Sequence, residues 1–226
     1  MKNLLMLALA LVALGTTTIL GLAQEPRAIK LDSTIPVQPR IPALTCCECL
    51  GKVTTLDLST GQSGPIDPLW KMNNVNAYVV SNLSNLLNVW TVLPSASWIQ
   101  PVPSSTPSSN IAPGVYRYTV KFYIPECAIP SRIQLTGTFS ADNSAKAFLD
   151  GPLHSVGSCL GPSCFTGSAQ LTVNPNWLTP GTTHTLEIDV TNNEIYSGLI
   201  VNAKLTRHCV KGNPGPTQDQ TMEPNN

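Results

Sequence analysis

The chain has 226 residues, with 13 Lys and Arg against 13 Asp and Glu and a formal net charge of zero. Only 12% of residues are charged, so the chain lacks the basic surface that neutralises phosphates, which argues against nucleic acid as a partner. Pro, Ser, Thr and Asn are plentiful, a composition of extracellular β-rich proteins and not of helical enzymes.

Lys2 opens the chain, Leu4 to Leu14 is almost wholly apolar, and Gly21 and Ala23 are small residues at −3 and −1 of a cut before Gln24. Charged start, apolar middle and small exit predict a signal peptide over residues 1–23, and hence a secreted, extracellular or periplasmic protein. The apolar run is shorter than the roughly 20 residues of a spanning helix, and no later segment is apolar enough, so no membrane insertion is expected. Cleavage removes Lys2 and leaves a formal charge of −1. Residues 24–45, with prolines and scattered charges, read as an extended arm; residues 210–226 read as a disordered tail.

Seven cysteines follow: Cys46, Cys47, Cys49, Cys127, Cys159, Cys164 and Cys209. In an oxidising compartment they are disulfide candidates. Cys159 and Cys164 flank a turn-like Leu-Gly-Pro-Ser, and a bridge from the 46–49 cluster to the Cys209 region would tie the ends of the domain together. Connectivity is open at this level, and the odd cysteine is free, capped or shared with another chain. Three Cys with His208 or Cys209 would be a zinc set, but the spacing is not that of paired Cys-x-x-Cys knuckles, and adjacent Cys46 and Cys47 point apart in an extended chain.

Between Cys46 and Cys209 the hydrophobic period is two. Tyr116, Tyr118, Val120, Phe122 and Ile124 alternate with Arg117, Thr119, Lys121 and Tyr123. Ile133–Ala141, Leu186–Val190 and Leu199–Leu205 alternate likewise, each predicting a strand with one buried face. Weaker strands are expected at Val53–Leu58, Ala77–Ser81, Val89–Leu93, Ala145–Leu149 and Ala169–Val173, separated by Gly, Pro, Asn and Asp turns. Eight or nine short strands in one domain over 46–209 predict an all-β, two-sheet antiparallel sandwich of jelly-roll type, supported by disulfides. The 13 residues from Pro101 to Pro113 form a long loop, of the kind that is usually functional or mobile.

The run FSADNSAKAFLDG (Phe139–Gly151), then LTVNPNWLTPGTTHTLEIDVTN (Leu171–Asn192), then SGLIVNAKLTRHC (Ser197–Cys209), resembles the galactose-binding-like jelly-roll domains found as sugar-binding accessory modules of glycosidases. VWTVLPSASWIQP (Val89–Pro101) and PGVYRYTVKFYIP (Pro113–Pro125) fit the same order. The resemblance spans about Val53 to Cys209. It implies a binding or accessory module, often for carbohydrate and sometimes with a structural calcium ion; a fold of this kind hosts many functions.

No nucleophile elbow, zinc-protease helix or phosphate loop is present. Asp142, Asp150, Glu187 and Asp189 are available carboxylates, but nothing pairs them as glycoside hydrolysis requires. Sugar binding wants exposed aromatic faces and planar polar groups. Trp98 beside the long loop, Tyr123 and Arg117 on the wet face of their strand, and Asp142-Asn143 at a strand end are the candidates. Trp90 and Trp177 are expected in the core, and Tyr196 is a further aromatic. Asp142-Asn143 also reads as a plain turn, and with Asp150 it offers too few oxygens to assert calcium. Asn82-Leu83-Ser84 matches a glycosylation acceptor. The expected function is a secreted, non-catalytic module for glycan or another cell-surface or matrix component, with no bound cofactor. The alternatives are an extracellular structural subunit, linked covalently or by a donated strand into a homo-oligomer, and a secreted hydrolase.

Overall fold

The computed structural model describes residues 51–83, 89–161 and 163–210. The expected signal peptide and arm, Cys46, Cys47, Cys49, Ser84 of the glycosylation pattern and all but the first residue of the expected tail lie outside the described residues.

Eleven strands run in the order β1 (Val53–Asp57), β2 (Ile66–Met72), β3 (Val75–Val79), β4 (Ile99–Gln100), β5 (Gly114–Tyr123), β6 (Gln134–Asp142), β7 (Ser144–Leu149), β8 (Ser155–Cys159), β9 (Ala169–Thr172), β10 (Thr183–Asn192) and β11 (Gly198–His208). One short helix, α1 (Ser163–Thr166), and two 3-10 turns, Pro130–Arg132 and Pro175–Trp177, complete the described elements. The all-β antiparallel sandwich read from the period-two alternation is what forms. Every pairing is antiparallel, in the spatial order β8-β7-β10-β5-β2-β3-β4-β11-β6-β9, with β1 beside β11.

The β2–β3 hairpin carries the path from one layer to the other. Its two tip residues, Asn73 and Asn74, have φ of 47° and 66°, the left-handed pair that a tight two-residue hairpin demands and that Asn tolerates. One layer contributes Tyr118, Val120 and Phe122, Leu186, Ile188 and Val190, and Ala145, Ala147 and Leu149. The other contributes Leu199, Val201, Ala203 and Leu205, with Leu135, Phe139 and Ala141. All are buried in one core, on the inward phase expected for each strand. Gly157 of β8 lies so close to β9 and β6 that a Cβ there would sit 2.8 Å from the Gln170 carbonyl oxygen and 2.9 Å from the Phe139 ring, so only glycine fits.

Three departures from the alternation have local causes. Val89–Leu93 is a loop, not a strand: the Thr91 amide donates to the Phe165 carbonyl, and the Thr91 carbonyl accepts the Trp98 indole N–H, so its backbone bonds are spent outside any ladder. Strand β2 escapes the pattern because Pro68 and a register shift between Ile66 and Lys71 interrupt it. β8 escapes because Ser155, Gly157 and Ser158 carry no apolar signal.

Cys159 and Cys164 are joined by a disulfide that closes the expected small loop between β8 and α1. Cys209 ends the β11 ladder. Its amide donates to the Lys52 carbonyl, its carbonyl accepts from Gly51, and Ala128 bridges it from the other side. The chain that follows Cys49 thus runs directly beside Cys209, with Cys127 adjacent through the Val210 amide.

Candidate functional site

A cleft of about 280 Å³ opens where β6 turns into β7, lined by Val89, Trp90, Asp142, Asn143, Gly161, Phe165, Asn193, Glu194 and Tyr196. Four separate segments build it. Asp142 ends β6, where it is 6% exposed. Its Oδ2 accepts the Trp90 indole N–H at 2.9 Å and its Oδ1 accepts Asn143 Nδ2 at 2.7 Å. Asn143 is fixed at its other ends: its amide donates to the Thr191 carbonyl, and its Oδ1 accepts the Asn193 amide at 2.8 Å. Asn192, buried at the end of β10, holds the next turn. Its Nδ2 donates to the Ile111, Ala112 and Glu194 carbonyls, and its Oδ1 accepts the Glu194 amide. The disulfide loop supplies Gly161 and Phe165, and α1 is tied down by Ser140 Oγ, which donates to the Cys164 carbonyl.

The rear wall is rigid. Trp90 stacks on Trp98 with ring centroids 4.2 Å apart, and both pack with Val80, Leu93 and Ile200 in a second apolar cluster. Phe165 and Tyr196 lie half-buried against that cluster, with part of each ring on the cleft side. Burial lifts the Asp142 carboxyl to about 6; the Trp90 hydrogen bond pulls it down and the Glu194 charge pushes it up. An acid raised in the fold stabilises the protein below its ordinary pKa, and that contribution is lost as pH rises through about 6. The urea midpoint is therefore expected to fall between about pH 4 and 6 and to level off above, and the fall to be shallower in Asp142→Asn. Equal slopes in the two proteins would contradict this origin.

Of the five residues singled out from sequence, only Asp142 and Asn143 meet in this cleft. The same side chains that close the bend line the opening. Trp98 corrects the sequence reading. At 1% exposure it has no free face, and it braces Trp90 from behind instead of lining a cleft with the long loop. That loop folds over the buried side chain of Gln100, which bonds the Ser104 and Thr106 carbonyls and the Ser108 amide. Arg117 stands on the outer face of β5, where its Nε and Nη2 donate to Asp189 at 2.7 and 2.9 Å across the strand pair, with Glu187 3.6 Å away. The hydrogen bond and charge of Asp189 raise the guanidinium pKa, and the pair flanks a shallow polar groove with Asn73, Asn74, Val115 and Thr119. Tyr123, half-buried opposite Thr183, lies six residues further along β5, about 20 Å from Arg117. As expected, Trp90 is core; Trp177 is half-buried and stacks on His154.

Asp150 and Asp142 sit at opposite ends of β7, about 20 Å apart, so the oxygens considered for calcium do not converge. Among the described residues no three His, Cys, Asp or Glu side chains gather for a metal. Sequence reasoning passed over Phe165, Asn193 and Glu194. The signals for them were the small cysteine loop and the Asn192-Asn193-Glu194 turn, which converge only in three dimensions.

A second cluster imitates a hydrolytic triad. Asp150 Oδ2 lies 2.6 Å from His184 Nδ1, and His184 Nε2 lies 2.9 Å from Thr182 Oγ1. The proton inventory gives it another role. Nδ1–H donates to Asp150, leaving Nε2 to accept the Thr179 backbone N–H at 3.0 Å, while the Thr182 hydroxyl donates to the Thr179 carbonyl at 2.7 Å. The imidazole is 4% exposed and packs on the Phe122 ring. With these bonds it clamps the Thr179-Pro180-Gly181-Thr182 turn that feeds β10.

No family model and no curated protein matches this sequence. Among solved structures the chain is similar to the Ruminococcus gnavus β-glucuronidase, at 14% identity over 69% of this chain and 28% of that one, with a TM-score of 0.37. It is also similar to the b-glucuronidase from Ruminococcus gnavus in complex with N1-substituted uronic isofagomine, at 15% identity over 66% of this chain and 30% of that one, with a TM-score of 0.35. The chain spans less than a third of the length of these proteins.

Proposed function

We propose that this is an exported, non-catalytic β-sandwich that binds a glycan in the Asp142–Tyr196 cleft, as a galactose-binding-like module. The observation that carries the reading is the cleft's make-up: half-buried Phe165 and Tyr196 beside Asp142, Asn143, Asn193 and Glu194. Aromatic faces stack on the apolar faces of sugar rings, and planar polar side chains meet the hydroxyls. The Asn143, Asn192 and Trp90 bonds hold these groups in place before any ligand arrives, which lowers the ordering cost of binding. The positions of the Asp150-Gly151 turn and the Pro180-Gly181 entry into β10 support the family assignment. Both Asp142 oxygens are already engaged by fixed donors, and the triad-like cluster is a clamp, which supports binding without turnover.

The test is a binding screen of oxidised full-length protein against soluble glycans. Saturable binding is expected, with the glycan recovered unchanged, and Tyr196→Ala is expected to weaken it by at least about tenfold, the loss of one stacking contact. Binding indifferent to Tyr196→Ala, or a cleaved glycan, would refute the proposal.

A further inference from the structure

The cleft's charge is lopsided. Among the described residues its lining holds two carboxylates, Asp142 and Glu194, and no Lys, Arg or His. Asp142 is nearly buried, yet both of its oxygens bond neutral donors, the Trp90 indole and the Asn143 amide. The ion pairs among the described residues lie elsewhere, at Arg117 with Glu187 and Asp189. Glu194 stands near enough for its charge to disfavour a second negative charge at Asp142. A buried carboxylate without a cation, beside another carboxylate, is costly unless something positive arrives. Phe165 and Tyr196 flank the same opening, and aromatic faces attract cations through their negative π-clouds.

We propose that the cleft selects an ammonium-bearing sugar, a 2-amino sugar without its acetyl group, with the ammonium between Asp142 and Glu194 and the ring against Phe165 and Tyr196. This rests on the glycan-binding reading above and names its ligand class. A cleft of about 280 Å³ admits one ring and not a chain segment, so the contact is with a single residue of the glycan. A uronic acid is repelled by both carboxylates. An N-acetylated sugar carries no charge to balance them. Calcium is a poorer occupant, because it takes six to eight oxygens and two carboxylates with aromatic walls do not supply them.

The experiment measures binding of the full chain to four probes by calorimetry: a glucosamine tetramer, an N-acetylglucosamine tetramer, a glucose tetramer and calcium chloride alone. The glucosamine tetramer is expected to bind at least about tenfold more tightly than the other sugars, and more weakly as salt rises. Glu194→Gln, an exposed change that leaves the fold intact, should erase that preference, while Glu126→Gln, exposed and outside the cleft, should keep it. Equal, Tyr196-dependent binding of all three tetramers would overturn the ammonium inference and leave the glycan reading standing. No binding to any tetramer would remove both. A glucosamine preference unchanged by Glu194→Gln, or binding of calcium with none of the sugars, would also overturn it.

Discussion

Asp67→Ala is expected to lower the unfolding free energy by about 3–9 kcal/mol, at roughly 1–3 kcal/mol for each of the three backbone donors it orphans. Asp67 is fully buried. Its Oδ2 accepts the Gly61 amide at 2.5 Å, and its Oδ1 accepts the Leu69 and Trp70 amides at 2.8 Å. Burial raises its pKa and the three amides pull it back, the balance of a carboxylate kept inside for its acceptor capacity. A loss of this size is a large share of the total stability of a domain. Its effect reaches the cleft through a traceable chain. Gly61 touches Ser97; Ser97 exchanges bonds with Thr60; Ser97 precedes Trp98, and Trp98 braces Trp90 against Asp142. Urea unfolding of the oxidised protein is the measurement. Asp67→Asn, which keeps one oxygen for Leu69 and Trp70, should lose clearly less than Asp67→Ala. Wild-type midpoints in both variants would show that the 59–61 loop does not depend on this carboxylate.

His184→Ala should cost about 2–4 kcal/mol, combining the packing lost on Phe122 with the orphaned Thr179 amide. Thr182→Ala removes only an exposed hydroxyl and its bond to the Thr179 carbonyl, so under about 1 kcal/mol is expected. This contrast separates a turn clamp from a catalytic triad. In a triad the threonine and histidine variants would be equally silent in activity, whatever their stability. In a clamp the stability ranking is steep and any glycan affinity of folded Thr182→Ala is that of the wild type. Comparable losses of stability in the two variants would contradict the clamp.

The negative lining of the cleft gives the proposed function a direction that a fold resemblance alone does not. A sandwich of this type presents loops at the ends of its strands, and sequence changes there alter ligand preference without disturbing the core. Here the loops are anchored by side-chain hydrogen bonds and a disulfide. Asn143, Asn192 and the Cys159–Cys164 bridge each fix one wall, so the cleft geometry is a property of the free protein.

The linear chain by itself determined the all-β antiparallel sandwich, the inward faces of β5, β6, β10 and β11, and the small disulfide loop. These follow from local physics: side-chain period is two in a strand whatever its partner, and five residues of separation let two cysteines meet with little help from the fold. It also marked Asp142 and Asn143, because a polar pair at a strand end has few roles. Only the tertiary structure decided which aromatic faces are open. Trp98 and Tyr196 are alike in composition terms, yet one is sealed by Trp90 and the other borders the cleft, a difference set where β4 pairs with the start of β11. Only the tertiary structure paired Asp150 with His184 across 34 residues and Arg117 with Asp189 across 72. It likewise brought Glu194 beside Asp142, across two strand pairings. Such proximity depends on register, and register is the sum of many weak hydrophobic choices along the whole sheet, which no short window of sequence contains.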